Sequence, residues 1–132
     1  MLRNVLVYVG GFLNICWGIA HLIPTNNVVS DFGEISRDNK LIIRMEWINE
    51  GLTLIFIGLL VIVVTLFTKV KTRSIKMVYL LSFLMLLTMA IVSLFTGFQI
   101  DFIPFKLCPV IFLSSGVLIV QKAFGCDKKV EN

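Results

Sequence analysis

Four long apolar runs alternate with short polar stretches along this chain. They cover about residues 5–23, 41–67, 77–98 and 107–124, each close to the roughly 20 residues that an α-helix needs to cross hydrocarbon. The connections between them are about 17, 9 and 8 residues long, too short to hold a further catalytic or binding domain. The pattern therefore predicts an all-α fold, an integral membrane four-helix bundle forming a single domain over residues 1–132. The first run follows Arg3 as a secretory signal would, but it is long and has no small-x-small cleavage site before Thr25. It is expected to stay as a helix.

Composition points the same way. With 58% hydrophobic and 15% charged residues and a mean hydropathy of +0.95, too little polar side chain is available to wet the surface of a soluble domain. Charge then sets the expected orientation. Lys69, Lys71, Arg73 and Lys76 cluster between the second and third runs, and short loops rich in Lys and Arg stay on the cytoplasmic side. Four crossings then give an N-in, C-in topology in the cell membrane. Arg3, Lys122, Lys128 and Lys129 agree with it, and Asp31, Glu34, Asp38 and Asp101 fall outside together with Arg37, Lys40 and Lys106. Topology and attraction to anionic lipid account for the net charge of +4, so no nucleic-acid partner is implied. The expected partners are the lipid bilayer and, left open, a second copy of the chain or a membrane partner subunit.

Cys16, Cys108 and Cys126 form no C-x-x-C pair, which argues against thiol redox chemistry and reads them as small apolar filler. Cys126, beside the membrane, is a position where S-acylation occurs in other proteins. Ionisable and amide side chains within the helices are more informative, because such groups in hydrocarbon need a partner or a task. At about 100° per residue, Gly11, Asn14, Gly18 and His21 share one narrow arc of the first helix, a small and polar stripe expected to face protein. The second helix carries Glu46 and Glu50 one turn apart with Asn49 beside them, Arg44 on the other side, and Trp47 as the expected interfacial anchor. Antiparallel pairing of the two helices brings His21 near the level of Glu46 and Asn14 near that of Glu50. The candidate ligand-binding residues are thus His21, Glu46, Glu50, Asn14 and Asn49, lining a polar pocket open to the outer side. The plainer alternative has Glu46 in interfacial water near Arg44 and Glu50 satisfied by Asn14 or a buried water.

The second hairpin is poorer in chemistry. Thr88 and Gln99 share an arc with Phe95 and wall the expected pocket, with Asp101 at its rim. The sequence shows no metal-ligand spacing, no phosphate-binding glycine loop, no nucleophile motif and no catalytic set, and a single His excludes a bis-imidazole haem site. It names no cofactor, and an autonomous enzymatic activity is not expected.

The run Trp17-Gly18-Ile19-Ala20-His21-Leu22-Ile23-Pro24, followed by Glu50-Gly51-Leu52 and Gly58-Leu59-Leu60, resembles the DoxX-like group of small four-helix membrane proteins. The resemblance rests on a Gly-x-x-His-x-x-Pro spacing with an acidic residue early in the second helix, mainly over residues 10–60. It implies the four-helix architecture, and some members of that group resemble membrane subunits of quinone-linked oxidoreductases. Two functions follow as expectations. One is a binding module that takes a cation, a proton or a small amphiphile into the outer pocket. The other is an accessory subunit of a quinone-linked membrane oxidoreductase. No second ionisable group is evident between Phe56 and Phe67, which favours a one-sided pocket over a channel.

Overall fold

A computed structural model of the chain describes residues 1–68, 72–98 and 103–124. They form five helices: α1 Leu2–Leu22, α2 Thr25–Asp31, α3 Arg37–Phe67, α4 Arg73–Thr96 and α5 Ile103–Val120. Helices α1, α3 and α4 are long and apolar enough to cross a membrane, and Phe105–Val120 is a shorter apolar helix. Side chains such as Phe12, Phe56, Leu81, Phe95 and Val110 stand outward, exposed. An apolar exterior of this extent is that of a membrane protein in contact with lipid.

Every long helix begins a few residues before its apolar run, and for α3 and α4 the cause is capping. The Ser36 hydroxyl accepts from the Asn39 amide at 3.2 Å, so the polar turn Asp38-Asn39-Lys40 is already helical. Thr72 does the same for α4 through the Ile75 amide. The connection after α1 holds α2, a helix absent from the hydropathy reading, whose Val28 and Val29 are buried. Gly33, at φ +70°, then turns the chain toward α3 in a conformation that side chains with a Cβ rarely adopt. The last helix starts about four residues before the expected 107 and ends at Val120, and residues 121–124 follow as a turn.

Helix α1 is the hub, packed against both α3 and α5, while α4 rests mainly on α5 and hardly touches α3. The α1–α3 contact is built on glycine. Gly11 opposes Gly58 and Gly18 opposes Gly51, and a Cβ at Gly18 would stand 2.6 Å from the Gly51 carbonyl oxygen. Backbones this close suit a lipid-embedded interface, where packing rather than the hydrophobic effect holds helices together. The adjoining face of α1 meets α5: a Cβ at Gly10 would stand 2.9 Å from the Ser115 carbonyl. There Ser115 Oγ donates to Asn14 Oδ1 at 2.9 Å, both residues being fully buried. Toward the other end of the bundle, Thr65 Oγ1 donates to Val61 O at 2.6 Å and stands 2.9 Å from Tyr79 Oη. With the Thr65 proton so engaged, the Tyr79 hydroxyl is the donor that ties α4 to α3. Lys122 Nζ likewise donates to Asn4 Oδ1, joining α1 to the turn that follows α5.

Candidate functional site

The site forms where α1 ends. Pro24 has no N–H to offer the preceding turn, so the last carbonyls of α1 need partners from elsewhere. The Trp47 indole donates to His21 O at 2.6 Å and the Thr25 hydroxyl to Leu22 O at 2.6 Å. The first bond draws Trp47 over His21, and their rings stack with centroids 3.7 Å apart and planes 15° apart. Phe105 of α5 meets the indole edge-on at 5.4 Å and 71°, a favourable aromatic geometry. Three helices thus fix the orientation of one imidazole. Trp47 is buried in this stack, packed against protein on both His21 and Phe105.

The imidazole points its Nε2 toward α3, 3.4 Å from Glu50 Oε2. His21 is only 5% exposed, whereas the Glu50 side chain keeps 32% of its surface open. Nε2 lies within ion-pair distance of the carboxylate, yet makes no aligned hydrogen bond to it or to any other group among the described residues. From α5 comes Cys108, 3% exposed, and one ligand-type atom from each of His21, Glu50 and Cys108 lies within 4.8 Å of the others. The Trp17 indole N–H is buried with no well-aligned acceptor and interacts with the Cys108 sulfur, itself a weak acceptor.

Two spaces meet here. A cavity of about 150 Å³ is lined by Trp17, Ala20, His21, Pro24, Trp47, Phe105 and Cys108. A wider groove of about 670 Å³ follows the gap between α3 and α4, with Glu46, Asn49, Glu50 and Thr53 along one wall and Thr88, Ser93 and Thr96 along the other. Trp47, Phe105 and Cys108 border both. His21 therefore borders the smaller cavity and Glu50 the wider groove.

The sequence-derived residues separate into three groups. His21 and Glu50 come together directly, although antiparallel pairing by level put His21 with Glu46. Glu46 and Asn49 are exposed and line the groove one turn or less from Glu50. Asn14 lies elsewhere, on Ser115 of α5. The difference is one of azimuth: α1 has two neighbours, so Gly11 and Gly18 face α3 while Gly10 and Asn14 face α5. Thr88 does line the groove, and Gln99 and Asp101 lie outside the described residues. Cys108 was not among the expected site residues, since a lone cysteine 58 positions beyond Glu50 has no spacing that marks it.

The Glu50 register was readable. Gly11 and Gly18 are seven residues apart, as are Gly51 and Gly58. An antiparallel pair that docks the two glycine sets on each other puts His21 opposite residues 47–50 of α3. Comparison of the chain with protein-family models, with curated proteins and with solved structures finds no match.

Proposed function

We propose that this chain is a DoxX-like, N-in/C-in four-helix membrane protein of the cell membrane that binds a cation at the outer end of its bundle. The observation that carries this reading is the 3.4 Å approach of the Glu50 carboxylate to a buried His21 Nε2 that has no aligned hydrogen-bond partner among the described residues. A carboxylate held at this depth attracts positive charge, because the surrounding hydrocarbon screens it little. Glu46 and Asn49 extend the polar wall outward along the groove, giving a cation a route to Glu50 from the open side. The stacked Trp47 and the edge-on Phe105 hold the imidazole in place before any ligand arrives, which lowers the ordering cost of binding.

The test is thermal unfolding of the detergent-solubilised protein with Na⁺, K⁺, Ca²⁺, Zn²⁺, Co²⁺ and tetramethylammonium. A cation that binds the native state alone stabilises it by about 2.7 kcal/mol at 100 times its Kd. At least one cation is expected to raise the transition. Glu50→Gln is expected to abolish that rise while leaving the unliganded protein as stable or more so, since a desolvated charge has been removed. Absence of any cation effect, or an undiminished effect in Glu50→Gln, overturns the proposal and leaves the accessory-subunit role.

A further inference from the structure

We infer that His21 Nε2, a Glu50 carboxylate oxygen and the Cys108 sulfur make up a three-ligand site for a zinc-class transition-metal ion, with its fourth position open to the α3–α4 groove. This inference rests on the cation reading of the same pocket and names the class of cation.

The donor set decides the class. Alkali and alkaline-earth ions take oxygen ligands, whereas imidazole with thiolate selects borderline and soft metals such as Zn²⁺, Co²⁺ and Cd²⁺. Ligand bonds of about 2.0–2.3 Å to a tetrahedral ion separate neighbouring ligand atoms by roughly 3.3–3.7 Å. Nε2 and Oε2 of the pair already stand 3.4 Å apart, and the three ligand atoms lie within 4.8 Å of one another. Closing the remaining distance needs a shift of about 1 Å, within the reach of side-chain rotation alone.

An independent observation points to a ligand. His21 is 5% exposed and its Nε2 is aimed at this cluster without an aligned hydrogen bond, a costly state for a buried nitrogen. A metal ion bound to the neutral imidazole uses that lone pair. The ligands also come from three different helices, α1, α3 and α5, held by the Trp47–His21 stack and the Trp47–Phe105 contact. Closed structural zinc sites have four protein ligands, and sites with three keep a position for water or a substrate. Glu50 and Cys108 border the groove, so that position faces the open side. Binding releases the thiol proton of Cys108 to solvent through the groove and involves no redox change.

The test uses the full chain, carrying a tag free of His and Cys, stripped with chelator and titrated with Co²⁺ and Zn²⁺. The expected result is one Co²⁺ per chain, a thiolate-to-Co²⁺ charge-transfer band, and displacement by Zn²⁺. Cys108→Ser should erase the band and Cys16→Ser should leave it. Losing even an outer partner of a metal ligand costs roughly 10- to 100-fold in affinity, so Cys108→Ser and His21→Gln should each weaken Zn²⁺ at least that much. The wild type gives a check that needs no variant: Zn²⁺ should protect Cys108, and not Cys16, from alkylation read by peptide mass spectrometry. Equal alkylation of Cys108 with and without Zn²⁺, or a band that follows Cys16, overturns the inference. Stabilisation by Na⁺, Ca²⁺ or tetramethylammonium without any by Zn²⁺ or Co²⁺ overturns it and leaves the cation pocket standing. No stabilisation by any of these ions removes both.

Discussion

Replacing Gly18 with Ala tests the register on which the site depends. The new Cβ would stand 2.6 Å from the Gly51 carbonyl oxygen and 2.8 Å from Ile55 Cγ1, where ordinary contact begins at 3.4 Å, a deficit of 0.8 Å against backbone. Backbone cannot rotate away, so α1 and α3 must part. Overpacking of this kind costs about 1–3 kcal/mol, and the better helix propensity of Ala returns up to about 1 kcal/mol. Gly51→Ala, on the facing helix, differs in what it meets: Leu22 Cδ2 and Cγ at 2.8 and 2.9 Å, the far end of a flexible side chain, with Gly18 O at 3.1 Å. Leu22 can turn aside, so Gly51→Ala should be close to neutral. The expected difference between the two variants is about 1–2 kcal/mol, read by thermal unfolding in detergent. Val9→Leu, at a half-exposed position of α1, should change nothing. Equal effects at Gly18 and Gly51, or stabilisation by Gly18→Ala, would refute the backbone contact.

Topology is tested with impermeant thiol reagents on intact cells carrying Cys16→Ala, Cys108→Ser and Cys126→Ser: a cysteine at Ser74 should be shielded and one at Asn27 labelled, and the reverse pattern inverts the orientation. Ser115→Ala removes the only hydrogen bond seen to the fully buried Asn14 side chain among the described residues and should cost about 1–3 kcal/mol. Tyr79→Phe leaves Thr65 bonded to Val61 O and should cost about 0.5–1.5 kcal/mol, so chemical or thermal denaturation should rank Ser115→Ala as the more damaging change.

Hydropathy found the apolar bodies of α1, α3 and α4, because lipid demands them, and missed what polar residues build. The starts of α3 and α4 lay hidden in charged turns, although Ser36 and Thr72 are capping residues visible in the sequence. Helix α2 is too short for a hydropathy signal and is recognisable only by its buried valines. His21 and Glu50 were legible because ionisable groups in hydrocarbon stand out, whereas helix depth gives level and not direction. For that reason Asn14 was paired with α3 where the structure places it on Ser115 of α5, and the stacking of Trp47 on the His21 ring was not foreseen. Cys108 stayed illegible because its role comes from the docking of α5 against α1 and α3, a long-range contact that no local spacing records.

The unequal lengths of the helices carry a consequence for the surrounding lipid. At 1.5 Å per residue, the 18 residues of α5 span roughly 27 Å, against a hydrocarbon core of about 30 Å. The 31 residues of α3 span well beyond it. In the proposed four-helix topology α5 also crosses, and hydrophobic mismatch there draws the lipid headgroups inward by a few ångströms, at a cost of fractions of a kcal/mol per ångström. Cys108 lies in the second turn of that short helix, so bilayer thinning brings water toward its side of the groove. In that proposed topology, access to Glu50 and Cys108 depends on acyl-chain length: thicker bilayers bury the groove mouth, and thinner ones wet it.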